Sequence, residues 1–205
     1  MSSLQDLLND LTSGDEARAE AAVSALVDLG GQATSALLEL TRSADADHRW
    51  WAVRVLAQTP HSETGWLVPF LDDPAPEVRQ CAALGLAARP DEAATRPLIR
   101  ALSDDDGMVA SLAANALVKI GSIAVPSLIE VVKRCPDGSS VADRVEGSAS
   151  QSARIHALRA LAEIRDHRAI PVMMQVMDED SALLQHWAKE GLERLGLNMV
   201  YIKPL

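Results

Sequence analysis

Apolar residues recur along this chain at helical spacing, in blocks of roughly a dozen residues separated by short polar stretches. Six blocks align. They are AEAAVSALVDLG from Ala19, RWWAVRVLAQTP from Arg49, RQCAALGLAARP from Arg79, ASLAANALVKIG from Ala110, RIHALRALAEIR from Arg154 and QHWAKEGLERLG from Gln185. The fourth residue is always Ala (Ala22, Ala52, Ala82, Ala113, Ala157, Ala188), and the eighth is always Leu (Leu26, Leu56, Leu86, Leu117, Leu161, Leu192). Residues four apart share one helix face. The Ala lets a neighbouring helix approach, and the Leu fills the space beside it. The seventh column stays small or β-branched: Ala25, Val55, Gly85, Ala116, Ala160 and Gly191. The twelfth holds Gly30, Pro60, Pro90, Gly121, Arg165 and Gly196; Gly and Pro are the residues expected just past a helix end.

A second, shorter apolar segment precedes each block, as in SALLELT from Ser35, WLVPFL from Trp66, RPLIRAL from Arg96, VPSLIEVV from Val125 and IPVMMQVM from Ile170. The N-terminal SLQDLLNDL supplies the first. Pro97, Pro126 and Pro171 fall near helix starts, where a missing N–H does no harm. The pattern predicts helical hairpins over 3–29, 33–58, 63–88, 92–120, 123–164 and 168–196. No single hairpin buries its apolar face, so neighbours must stack. The expected fold is all-α: one right-handed α-solenoid domain over 1–205, of about six hairpins. Its longer Ala/Leu helices would form the concave layer and its shorter helices the convex one. The steps between the conserved-column Leu residues are 30, 30, 31, 44 and 31. The long step predicts an exposed loop over 134–150, rich in Gly, Ser, Asp and Pro. The tail 197–205 is expected to cap the last hairpin or dock on another subunit.

Composition agrees: 33 Ala and 27 Leu among 205 residues favour helix over sheet. A net charge of -10 argues against general nucleic-acid binding, which depends on neutralising phosphates. No apolar stretch approaches the roughly 18–20 residues a membrane span needs, and the acidic N-terminus is no secretory signal. A cytoplasmic protein is expected. Cys81 and Cys135 form no metal-ligand spacing and no disulfide framework.

The segments DDPAPEVRQCAALGLA from Asp72 and QSARIHALRALAEIRDHRAIPVMMQVM from Gln151 resemble the HEAT-repeat superfamily, in particular the bacterial phycobilisome-lyase HEAT-like type. The likeness covers about residues 3–196. It implies a turn Asp and a helix-starting Arg forming a ladder between repeats. Asp73 with Arg79 fits this, whereas Ala19, Ala110 and Gln185 stand where the Arg would be. It also implies a choice of activities. Bilin-lyase subunits handle linear tetrapyrroles. Deoxyhypusine hydroxylases hold iron with repeated His-Glu pairs, and this chain has no His-Glu dipeptide. Alkylpurine glycosylases need a basic groove. The remaining relatives are binding scaffolds.

Catalytic motifs are absent: there is no GxSxG, HExxH, CxxC or Gly-rich phosphate loop. No metal site and no cofactor are expected. The informative columns are the second, sixth and tenth of each block, which vary while the packing columns repeat. A ligand, unlike packing, does not demand repetition. From these columns the candidate partner-binding residues are Trp50, Arg54, Gln80, Asn115, Arg159 and His186, with Trp50 and Arg54 as anchors. Trp51 and Trp187 read as fillers of gaps between repeats, Trp66 as convex-side packing, and Cys81 as a small buried residue. The expected function is a non-catalytic scaffold that binds another protein or peptide segment. The alternatives are a bilin-lyase-like subunit and a structural assembly subunit.

Overall fold

The computed structural model describes residues 3–60, 62–133 and 141–197, with backbone alone for 141–150. Among the described residues there is no strand, and twelve α-helices pair into six hairpins. They fall into two compact units, Met1–Arg89 and Pro90–Leu205.

The first unit holds α1 (Leu4–Leu11) with α2 (Glu16–Leu29), then α3 (Gly31–Leu40) with α4 (Ala46–Gln58). Its third hairpin pairs α5 (Thr64–Leu67), continued by a 3-10 segment over Val68–Asp72, with α6 (Pro76–Ala88). Helix α2 packs on α4, and α4 on α6. The second unit holds α7 (Thr95–Ala101) with α8 (Gly107–Ile120), α9 (Val125–Lys133) with α10 (Val141–Ile164), and α11 (Ile170–Met177) with α12 (Ala182–Arg194).

The repeating columns form the core. Every fourth-column Ala and every eighth-column Leu is at most 3% exposed. The seventh column explains its small residues by contact. A Cβ on Gly85 would sit 2.7 Å from Ala57 Cβ and 3.0 Å from Leu67 Cδ1; one on Gly191 would sit 2.6 Å from Met173 Cε. Both helices of each pair approach so closely there that hydrogen is the only substituent that fits without movement.

Short acceptors cap the starts of several helices. Asp15 accepts from Ala17 and Arg18 N–H, Asp45 from Asp47 N–H, and Asp106 from Met108 and Val109 N–H. Helix ends use positive φ at Gly30 (53°), Gly121 (77°) and Gly196 (83°). Arg165 occupies the same column and the same left-handed region, at 56°. Backbone geometry at that column is kept even where the residue is not glycine.

The expectation of a loop over 134–150 does not hold for 141–150. Residues 141–150 belong to α10, which runs for 24 residues from Val141. No proline follows Pro136 until Pro171, so nothing in that stretch blocks a helix from extending backwards from the repeat block. The other residues of that expected loop, 134–140, and the tail 198–205 lie outside the described residues.

Candidate functional site

Where the first residue of a repeat block carries a side-chain donor, it ties its helix to backbone carbonyls of the same hairpin. Arg49 Nη1 donates to the carbonyls of Ser43 (3.0 Å) and Ala44 (3.1 Å), tying α4 to its own entry turn. Arg79 Nη1 does the same to Asp73 O (3.0 Å) and Pro74 O (3.3 Å). Gln185 reaches Met177 O and Glu179 O at 3.3 and 2.5 Å, so an amide replaces the guanidinium in the last hairpin.

The ladder therefore differs from the Asp73–Arg79 pairing expected from the resemblance. Asp73 gives its carboxylate to Arg49 of the preceding hairpin, through two bonds of 2.8 Å, and only its backbone carbonyl to Arg79. The rung Arg154–Glu179 repeats this forward step in the second unit, at 2.5 Å. A hairpin's Arg satisfies its own turn with one part of the fork and the next hairpin's carboxylate with another. Burial works to raise the Asp73 carboxyl, but the Arg49 hydrogen bonds and the Ala75 N–H outweigh it and hold the group below the usual carboxylate range.

In the first unit two residues of the variable second column, Trp50 and Gln80, line a cleft of about 710 Å³. Its walls come from the α1–α2 turn and from the first turns of α2, α4 and α6. Trp50, Trp51 and His48 line it from α4, and Gln80 from α6. The two indoles stand edge to face with centroids 4.7 Å apart. One helical turn on, the Arg54 guanidinium carbon lies 5.2 Å from both rings. Glu20 on α2 holds that guanidinium, with Nη1–Oε1 at 2.7 Å and Nη2–Oε2 at 3.0 Å. Trp50 and Gln80 thus share the cleft, Arg54 adjoins Trp50, and all three are half-buried.

The other three candidates lie in the second unit. Arg159 Nη2 donates to Ser111 O (3.2 Å), Ser111 Oγ (3.1 Å) and Asn115 Oδ1 (3.1 Å), which joins two of them. His186 is exposed and packs edge to face on Trp187 at 5.4 Å. Beside Arg159, burial and then the Arg159 charge lower the His156 imidazole from its ordinary value. No group of three or more metal-ligating side chains is gathered among the described residues.

Some contributors to the cleft were not singled out from the sequence. Trp51, read as a filler of gaps between repeats, also lines the cleft. Asp15, Glu16, Asp45, Asp47 and Glu77 line it too. Their signal was present: an acidic residue opens the second helix of each of the first three hairpins, in DEARAE, DADHRW and PEVRQC. It reads as helix capping, and for Asp15 and Asp45 it is that as well. Cys81, which the sequence reads as a small buried residue, is half-buried, and burial pushes its thiol up to about 11 against the opposing pull of Arg54. A thiol so far from ionisation is a poor nucleophile.

Helical hairpins stacked through one invariant Ala/Leu face define an α-solenoid repeat protein. The chain belongs to the HEAT-repeat family: the HEAT repeats model matches residues 64–145, and the PBS lyase HEAT-like repeat model matches residues 153–179. No curated protein matches the sequence. Among solved structures, the archaeal HEAT-like repeats protein from Thermococcus onnurineus NA1 is similar at a TM-score of 0.57 and 14% identity, over 98% of this chain and 84% of that one. The complex of CpcE and CpcF of phycocyanin lyase from Nostoc sp. PCC7120 is similar at 0.53 and 22% identity, over 79% of this chain and 64% of that one. Human deoxyhypusine hydroxylase is similar at 0.52 and 14% identity, over 94% and 73%. These likenesses concern the fold. Among the described residues no helix is long and apolar enough to cross a membrane.

Proposed function

We propose that this chain is a non-catalytic HEAT-repeat interaction module that takes a segment of a partner protein on the face of its second helices. One observation carries this reading: the cleft of the first unit, floored by the adjoining indoles of Trp50 and Trp51. Two half-buried tryptophans beside an arginine already fixed by Glu20 form a preorganised aromatic anchor point, and Trp and Arg dominate the energetics of protein interfaces. Gln80 adds an amide able to donate to or accept from a peptide backbone. Asn115, Arg159 and His186 offer polar contacts on the second unit.

A tetrapyrrole is disfavoured at the cleft. Its propionates would face five carboxylates among the lining residues, with no Lys or Arg there to receive them. The raised Cys81 thiol likewise offers no activated nucleophile for attaching a chromophore.

The test is capture of partners from the native lysate by wild-type protein and by Trp50→Ala, with circular dichroism confirming that the variant is folded. A partner retained by the wild type and lost by the variant is expected, since an aromatic hot spot contributes about 2 kcal/mol or more. An identical set of retained proteins would reject the assignment.

A further inference from the structure

The lining of this cleft says what kind of segment fits it, and the inference rests on the interaction-module reading. An indole face attracts a cation through its quadrupole. The Trp50–Trp51 pair already does so within the chain, with Arg54 at 5.2 Å from both centroids. Arg54 is neutralised by Glu20 and is not among the lining residues. Five carboxylates are: Asp15, Glu16, Asp45, Asp47 and Glu77. The first turns of three helices also contribute to the walls, and each helix end carries only about half a positive charge. The lining therefore stays negative by roughly three charges. Asp15 and Asp45 serve the backbone as caps, and Asp45 also lies 3.8 Å from His48 Nε2. Glu16, Asp47 and Glu77 have no ion pair or side-chain hydrogen bond among the described residues.

These three carboxylates line the one cleft from three helices, α2 packed on α4 and α4 on α6. They open the second helices of three successive hairpins, 31 and 30 residues apart in sequence. Helices packed side by side lie about 8–10 Å apart, and a chain extended as polyproline II advances about 3.1 Å per residue and brings every third side chain to the same face. Basic side chains three residues apart on an extended segment match that spacing. A small free cation meets one carboxylate; a peptide meets all three.

We propose that the cleft binds an extended basic peptide segment. One lysine or arginine side chain seats against Trp50 and Trp51, and Glu16, Asp47 and Glu77 neutralise it and its neighbours at a three-residue period.

The test is a calorimetric titration of the full chain, at physiological salt, with a twelve-residue peptide bearing Lys at every third position and Ser or Ala between. Three variants accompany it: Trp50→Ala, the triple Glu16→Gln/Asp47→Asn/Glu77→Gln, and a triple of equal charge change outside the cleft, Asp28→Asn/Glu63→Gln/Glu163→Gln. The peptide should bind one to one. Trp50→Ala and the cleft triple should each weaken it about tenfold or more, as loss of a desolvated cation–π contact or of close charge pairs predicts. The outside triple should shift affinity by no more than about twofold, because none of its three residues lines the cleft and exposed charges without close contact are screened by salt. Equal weakening by both triples would mean bulk attraction to an acidic protein and would overturn the proposal. Tetramethylammonium binding as tightly as the peptide would overturn it in favour of a small cation. A dimer in sedimentation that the cleft triple dissociates would overturn it in favour of a second copy. If the peptide fails to bind while Trp50→Ala still loses a captured partner, the basic-segment chemistry falls and the interaction-module reading stands. If the peptide binds through the cleft but no captured partner depends on Trp50, the reverse holds.

Discussion

Arg54 and Arg159 occupy the same column of the repeat, one in each unit, and do opposite things. Arg54 is neutralised by a carboxylate and covered by two indoles. Arg159 is held only by neutral oxygens, from Ser111 and Asn115. Around the first lies an acidic aromatic cleft; around the second, a guanidinium with its charge uncompensated among the described residues. The columns one turn away, Ala and Leu, are the same in both units. Packing forces repetition because each hairpin must fit the next. The face turned from the packing is free to diverge, and here it has diverged in charge.

The buried rungs of the ladder differ between units in a similar way, and mutation should widen the difference. Asp73 is 6% exposed on its side chain, whereas Glu179 is 31% exposed. Arg49→Ala strands a buried carboxylate and should cost about 3–5 kcal/mol. Arg154→Ala should cost less, about 1–3 kcal/mol, because Glu179 reaches water and mainly the bond to Val132 O is lost. Urea unfolding of the two variants measures this; equal losses would break the contrast. Acid should act on the same rung. The Asp73 carboxyl is lowered in the folded state, so its stabilisation is full above the unfolded value near pH 4. It disappears as pH falls through the lower folded value. Asp73→Asn should therefore be less stable than wild type near neutrality, and the gap should close toward pH 2.

The glycines of the seventh column give the next largest contrast. In Gly85→Ala the new methyl meets the Ala57 Cβ, which cannot move without its backbone, and stability should fall by about 1–3 kcal/mol. In Gly191→Ala the obstacle is the end of Met173, a flexible side chain. The helix gains of order 0.5–1 kcal/mol from replacing glycine, so that variant should stay within about 1 kcal/mol of wild type. Thermal unfolding separates the two cases. The smallest effect is expected at Arg165, held at φ 56° where three other hairpins use glycine. A left-handed L-residue costs roughly 1–2 kcal/mol, partly offset by the entropy glycine loses on folding. Arg165→Gly should therefore raise stability by about 0.5–1 kcal/mol.

Much of the fold was legible because packing acts locally and repeatedly. The Ala and Leu columns named the buried face, and Gly, Pro and Asp marked where helices end and begin. What misled was composition without a breaker: the stretch 141–150 reads as loop but lacks proline, and the helix runs through it. At the site, Trp50, Arg54 and Gln80 were found by their irregularity within a regular array. Trp51 reads as packing from the sequence, yet it stands edge to face with Trp50 in the cleft. The acidic first turns were hidden by their second use as caps.

By itself the sequence determined the repeat, its helices and the face each helix buries, since these follow from spacing and side-chain size within a few dozen residues. Only the tertiary structure decided which charge meets which. Asp73 takes the arginine of the preceding hairpin through its side chain, and Glu16, Asp47 and Glu77 line one cleft with Trp50 and Trp51. Those neighbours lie a full repeat apart along the chain. Their meeting depends on the distance and rotation between stacked hairpins, which no local pattern records.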